Sequence, residues 1–362
     1  MRFPHAAKDA GAKESCCSGA KLFVYEFITG GGTWSLGGAP EGSLLREGQA
    51  MAAAVVEDAL RMGAQPLVLR DARLTHWQPA NCECLDIYDA ADSQQQFQRL
   101  AAIADWTLVI APEFSGALLD LSRTVLEAGG RLLSPGVDFV RVASDKQRTV
   151  KALAQAGVPT PQGILLQPAE RPPDAFPYPA VLKPHDGAGS WLVRRVDHAA
   201  EAVTWIGQTS PRPWRLERFC QGLAASVAVL SGPAAVIALP PCSQHLNDDG
   251  SFAYLGGETP LPQQLAGRAK KLALAAVHAL PKTTGYVGVD LLLGGIADGS
   301  QDYVIEINPR LTTSYTGLRA ACRQNLLQAM IDVACGRQVA LSFRDERVEF
   351  LADGTVNCAG AP

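Results

Sequence analysis

The sequence predicts a mixed fold: a small open α/β domain over residues 21–142, then a strand-rich portion with interspersed helices opening at Ser144. Three observations carry this. The front half has a strand–loop–helix–strand order, which is a βαβ unit. At Ser144 the order changes, and one helix is followed by strands in quick succession. The length of 362 residues suits two or three domains at about 150 residues each. With 47% apolar and 19% charged residues, the chain reads as globular rather than disordered or fibrous.

Residues 1–20 are small and polar and are expected to be disordered. Lys21–Ile28 is a β-rich run stopped by Gly30-Gly31-Gly32, and a Gly/Ser/Pro-rich loop runs to about Gly42. Leu45, Met51, Val55, Val56 and Leu60 give Leu44–Met62 helical spacing, with Gly63 as its stop. Pro66–Leu69 is the next strand, Trp106–Ala111 a buried one, Leu118–Ala128 a helix and Arg131–Ser134 a further strand.

Ser144 and Gln147 fit a capping box, so a helix is expected from Ser144 to Gly157. The expected strands beyond it are Ile164–Gln167, Ala180–Lys183, Trp191–Arg194, Arg215–Phe219, Ser226–Leu230 and Ala235–Leu239. Helices are expected at Ala199–Trp205 and Leu261–Leu280. Gly285–Leu293 and Asp302–Asn308 read as strands joined by a hairpin-type connection, and Leu318–Cys335 as one closing helix.

The net charge of −4 gives no reason to expect nucleic acid, whose binders carry a basic face. The apolar runs fall far short of the ~20 residues of a membrane span. The first 20 residues have no apolar run of a secretory signal. Nine scattered cysteines, including Cys16-Cys17 and Cys82-x-Cys84, lack zinc or redox spacing, so reduced thiols in a cytoplasmic protein are expected.

The strongest constellation is Asp290 with Glu306-x-Asn308. Alternate strand residues share a face, so Val304, Glu306 and Asn308 are expected to point one way. Pairing with the strand of Asp290 would bring three hard oxygen donors together, a set suited to Mg²⁺; a solvated hairpin face is the other reading. Lys183 ends an apolar strand and runs into a turn carrying Gly187 and Gly189, which suits phosphate; an ordinary hairpin turn is the other reading. Lys146 lies in the first turn of its helix, where the dipole disfavours positive charge; alone it reads as a solvated tip. Glu217-Arg-Phe-Cys220 sits at a strand end, either a crossing beside an adenine or a plain turn. Arg310 can clamp a phosphate or carboxylate, or pair with Glu306. The polar, glycine-rich segment from Gln244 to Gly257 is either a substrate-facing loop or a surface excursion.

In order, Ser144-Asp-Lys146, Gly157-Val-Pro-Thr-Pro161, Pro179-Ala-Val-Leu-Lys183-Pro, Asp186-Gly-Ala-Gly, Glu217-Arg-Phe-Cys-Gln-Gly222, Gly288-Val-Asp290 and Glu306-Ile-Asn308-Pro-Arg310 resemble the ATP-grasp superfamily of carboxylate–amine ligases. The resemblance spans roughly residues 20–335. It implies an N-terminal open α/β (pre-ATP-grasp) domain followed by a two-lobed ATP-grasp domain whose α+β lobes trap ATP between them. The units would be an extension over 1–20, the first domain over 21–142, an N-lobe over 143–220, a C-lobe over 221–340 with the Mg-ATP and acyl phosphate site, and a tail over 341–362. By the resemblance, Lys146, Lys183, Gly187 and Gly189 hold ATP phosphates, and Glu217 and Cys220 flank adenine. Asp290, Glu306 and Asn308 bind two Mg²⁺ ions, with Mn²⁺ able to substitute, and Arg310 and Lys183 are catalytic. Many relatives carry a second acid after the hinge for ribose; Ala224 and Ala225 stand here instead.

Phe23-Val-Tyr-Glu26-Phe-Ile-Thr-Gly-Gly-Gly32, Ala111-Pro-Glu113 and Asn308-Pro-Arg-Leu-Thr-Thr-Ser-Tyr315 look like the tyramine–glutamate ligase group of methanofuran-type cofactor biosynthesis in one-carbon metabolism, near the pyrrolysine-pathway ligases. Glu26, Gly31, Gln244 and Tyr315 are its candidate substrate residues, with Glu26 and Gly31 equally readable as a βα turn. The implied partners are a small carboxylate and an amine, with no nucleic acid or membrane and a homodimer allowed. The implied reaction is ATP-driven amide formation through an acyl phosphate; a dipeptide-forming ligase or a non-catalytic nucleotide binder is the alternative.

Overall fold

The computed structural model describes residues 18–79, 81–187, 189–209 and 211–358; most of the expected N-terminal extension, with Cys16-Cys17, lies outside these. The first unit comprises β1 (Lys21–Glu26), α1 (Gly42–Arg61), β2 (Gln65–Asp71), β3 (Cys84–Ile87), α2 (Ala90–Ile103), β4 (Trp106–Ile110), α3 (Ala117–Glu127) and α4 (Val137–Ala143). Its four-stranded sheet is all parallel in the order β3-β2-β1-β4. Parallel strands are covered on both faces, so β1 and β4 are nearly continuous apolar runs. Sequence reading missed β3 and α2, whose polar positions dilute the apolar period. Arg131–Ser134 is no strand but a single bridge, Thr107 to Leu132.

The next unit is α5 (Lys146–Gln155), β5 (Gly163–Leu166), β6 (Ala180–Pro184), β7 (Arg194–Val196), α6 (Ala199–Gly207) and β8 (Trp214–Arg218), with an antiparallel sheet in the order β5-β8-β6-β7. The capping residue of α5 is Asp145, not Ser144: the Asp145 carboxylate accepts the Arg148 N–H at 2.9 Å. Gln147 instead accepts a bond from Arg215 at 2.6 Å. The strand expected at Trp191–Arg194 begins only at Arg194, and Trp191 stays in the turn.

The last unit is β9 (Leu223–Ser231), β10 (Val236–Ala238), β11 (Cys242–Leu246), β12 (Tyr254–Thr259), α7 (Gln263–His278), β13 (Gly285–Leu293), β14 (Tyr303–Asn308), α8 (Ser314–Ala321), α9 (Leu326–Ala334), β15 (Val348–Leu351) and β16 (Val356–Cys358). Its sheet runs β14-β13-β9-β11-β12-β15-β16, with β10 on β9. Much of the expected Gln244–Gly257 loop is therefore the paired hairpin β11–β12. The expected tail supplies β15 and β16, and β15 pairs with β12. The single closing helix is two, because the chain turns extended at Cys322 and restarts at Asn325, whose side chain caps Gln328.

On β13, Val287, Val289, Leu291 and Leu293 pack with Ala269, Ala273 and Ala276 of α7, so Gly288, Asp290 and Leu292 face the other way. A bulge alters the expected alternation on β14: Asp290 pairs with Glu306, but Leu291 pairs with Val304, leaving Ile305 as the extra residue. Val304 thus joins Ile307 in the α7 core, while Glu306 keeps the face of Asp290.

Helix α1 is tied to α8 by a buried polar knot. Asp58 accepts bonds from Tyr315 Oη at 2.6 Å and from Arg319 Nε and Nη2 at 2.9 and 2.7 Å. Tyr315 is wholly buried there, so it packs α8 on α1 and does not line the cavity described below. Asp58→Ala strands the buried Tyr315 phenol and leaves the largely buried Arg319 guanidinium only the exposed Glu57. It should lower unfolding free energy by about 3–5 kcal/mol, read from urea melts.

Candidate active site

The three units meet around a cavity of about 250 Å³. On β6 and β8, paired residues share a face, which places Val181, Lys183, Arg215 and Glu217 toward it while Leu182, Trp214 and Leu216 form a separate core. One end is an apolar slot of Pro161, Val181, Phe219, Ala224, Leu292 and Ile305 beside Cys220. Asp290, Glu306 and Asn308 follow, then Arg310 with Thr312, Thr313 and Ser314.

Of the expected site residues, Lys183, Gly189, Glu217, Cys220, Gln244, Asp290, Glu306, Asn308 and Arg310 line this one cavity. Lys146 does not, but reaches it through Glu306, whose Oε1 lies 2.7 Å from the Lys146 Nζ. It is no solvated tip; it is 9% exposed, with a further bond to the Gly187 carbonyl at 3.3 Å. Burial disfavours the Lys146 charge, yet the Glu306 carboxylate more than offsets this and raises the amine above the usual lysine range. Lys183 Nζ pairs with Glu217 Oε2 at 2.7 Å and donates to the Ile305 carbonyl. Glu217 also takes Arg215 Nε, and although burial pushes its carboxyl up, the two cations hold it below the usual carboxylate range.

Asp290 accepts amide N–H bonds on both oxygens, from Gln244 Nε2 at 2.9 Å and Asn308 Nδ2 at 2.8 Å. Burial and then the Glu306 charge push its carboxyl up to about 6. Two carboxylates facing across a strand pair, with amide oxygens beside them, are a hard-oxygen donor set and fit Mg²⁺. Arg310 donates to Glu113 Oε1 at 2.9 Å rather than pairing with Glu306.

The glycine-rich turn is held on both sides. Asp186 accepts the Ser115 N–H at 3.1 Å, Trp191 packs against Phe114, and the Ser190 hydroxyl donates to the Phe252 carbonyl. Gly189 has φ +61°, a left-handed conformation that suits glycine there. Ala224 lines the slot and Ala225 is in the core, so neither supplies the missing ribose acid.

Glu26 and Gly31 do not line the cavity. The Glu26 carboxylate accepts the N–H groups of Ile28 and Thr29 at 3.1 and 2.8 Å, and a β-carbon at Gly48 would lie 2.6 Å from it. It braces the first βα turn. Burial still pushes it up to about 7. A carboxyl raised above its unfolded value favours folding below that value and loses this as pH rises through the folded one. Glu26→Gln should therefore flatten the decline in stability between about pH 5 and 7, by at most about 3 kcal/mol, in urea melts across that range.

Sequence reading missed Arg215 and Glu47, and quoted Glu113 within a motif without giving it the role of partner to Arg310. Glu47 had a signal: it lies four residues before Met51 and is a charged side chain on the apolar face of α1. Arg215 and Glu217 alternate with Trp214 and Leu216, a charged face on a buried strand.

Residues 143–314 match the ATP-grasp domain family, and residues 64–138 match the pre ATP-grasp 3 domain family. The chain is 24% identical over 246 residues to tyramine–L-glutamate ligase of Methanocaldococcus fervens, covering 68% of this chain and 71% of that one. It is 24% identical to the Methanocaldococcus jannaschii enzyme of the same name over 67% of each. Among solved structures, an ATP-grasp superfamily protein from Archaeoglobus fulgidus aligns with a TM-score of 0.68 at 23% identity over 92% of both chains. L-amino acid ligase from Bacillus licheniformis aligns at 0.68 and 17%, over 92% of this chain and 79% of that one.

Proposed function

We propose, for a chain that carries a pre-ATP-grasp domain followed by an ATP-grasp domain, that it is an ADP-forming carboxylate–amine ligase. The observation that carries this reading is one cavity with an apolar slot at one end and Lys183, Asp290, Glu306, Asn308 and Arg310 beyond it. The likeness to tyramine–L-glutamate ligases favours glutamate as the acid and an arylalkylamine as the acceptor.

In this reading the adenine lies in the slot between Val181 and Leu292, against the backbone of Phe219 and Cys220. Lys183 and Lys146 face the phosphates, and to do so they share their charge with, or leave, Glu217 and Glu306. Asp290, Glu306 and Asn308 would hold Mg²⁺, which supplies positive charge to phosphate oxygens when bound. A substrate carboxylate oxygen attacks the γ-phosphorus, the bond to the β-phosphate oxygen breaks, and ADP leaves. Two anions approach in this step, and Arg310 and Lys183 offset their repulsion. The amine nitrogen then bonds to the acyl carbon, the carbon–oxygen bond to phosphate breaks, and phosphate departs with the nitrogen's proton. Arg310 stabilises the oxyanion of the tetrahedral state. The turn bearing Asp186–Ser190 excludes water from the acyl phosphate.

The test is ADP release from ATP with L-glutamate and a panel of amines and amino acids. ADP that appears only with both acid and amine supports the reading. ATP binding without ADP across the panel refutes it.

A further inference from the structure

We propose that Glu47 recognises the protonated amino group of a substrate, at the end of the cavity away from the apolar slot. This rests on the ligase reading and names the chemistry of that end. Strand β13 gives the direction. Leu292 lies in the slot, Asp290 among the oxygen donors, and Gly288 against Thr312, where a β-carbon would lie 2.5 Å from the threonine methyl. Four residues of strand span about 13 Å, so the Thr312–Ser314 end lies past the phosphates, where an acyl acceptor must approach. Glu47 enters there from α1 and accepts one bond, from Thr313 Oγ1 at 3.1 Å.

The local charge is unbalanced. Arg310 is committed to Glu113, and among the described residues Glu47 has no ion-pair partner. Arg310 is held from behind the cavity: Glu113, 4% exposed, takes it with one oxygen, and its other oxygen is buried with no hydrogen-bond partner among the described residues. Arg310 feels Glu113, Glu306 and Glu47 together, and although Lys146 acts on Glu113 and Arg46 on Glu47 as well, burial holds both Glu113 and Glu47 above the usual carboxylate range. A largely buried carboxylate without a cation is costly, and a ligand ammonium would supply one. Tyr254 lines the same end and feels the charges of both Asp290 and Glu47.

The ammonium has two chemical sources, the amino acid whose carboxylate is activated or the acceptor amine. Calorimetric titration in the presence of a non-hydrolysable ATP analogue separates them. The probes are L-glutamate and its amine-free analogue glutarate, and tyramine and its amine-free analogue 4-ethylphenol. Glu47→Gln should weaken either L-glutamate or tyramine by at least about 30-fold, leaving glutarate and 4-ethylphenol unchanged, and the probe that weakens identifies the source. Glu47→Asp, which retains the charge, should recover part of the loss and exclude misfolding as its cause. The proposal is overturned if Glu47→Gln binds both amines like the parent, if the amine-free analogues weaken equally, or if the parent binds neither amine. Glu47-dependent binding without ADP formation would instead refute the ligase reading and leave the ammonium site standing.

Discussion

Lys183→Met should lose nucleotide binding while remaining folded. Lys183 is 4% exposed and is the cation on the slot side of the oxygen donors. Methionine keeps the length of the stem but supplies no charge to the phosphates. Glu217 retains Arg215, so the variant does not leave a wholly unpaired buried carboxylate. A ligand at 100 times its dissociation constant stabilises the folded state by about 2.7 kcal/mol. Thermal melts of the parent with ATP should show that gain, and those of Lys183→Met should show almost none. An equal gain in both would remove Lys183 from the phosphate site.

Glu306→Gln should reduce ADP formation by at least about 1000-fold, the upper range for loss of a preorganised charge at a reacting centre. Glutamine keeps the shape and one oxygen, but it removes the negative charge facing Asp290 and the partner of Lys146. The far-ultraviolet circular dichroism should be unchanged, because Glu306 is on the cavity side and Val304 and Ile307 carry the packing of β14. Parent-like turnover would dismiss the metal assignment.

Much of this was legible in the chain. β1 and β4 are apolar runs ended by glycine or proline, and β13 and β14 are apolar-rich runs joined by a glycine-rich hairpin connection, so local pattern sufficed to place them. The motifs around Lys183, Asp290 and Glu306 fixed which side chains to watch. What escaped depends on partners distant in sequence. The bulge at Ile305 exists because β14 must present both Val304 to α7 and Glu306 to Asp290, a demand no local period shows. Lys146 looked like an exposed helix tip because its partner is 160 residues away. Tyr315 sat in a motif read as substrate-facing, but Asp58 and Arg319 hold it between helices. The hairpin β11–β12 was hidden by glycines and by polar residues facing the cavity, Gln244 among them.

In the proposed reaction a substrate carboxylate oxygen becomes bonded to the γ-phosphorus before the amine attacks. The direct measurement uses L-glutamate labelled with ¹⁸O in its carboxylates, with unlabelled ATP and an accepted amine, and weighs the inorganic phosphate released. Acyl phosphate formation transfers one labelled oxygen to phosphate for each amide made. Phosphate released without label, in step with amide formation, would rule out an acyl phosphate.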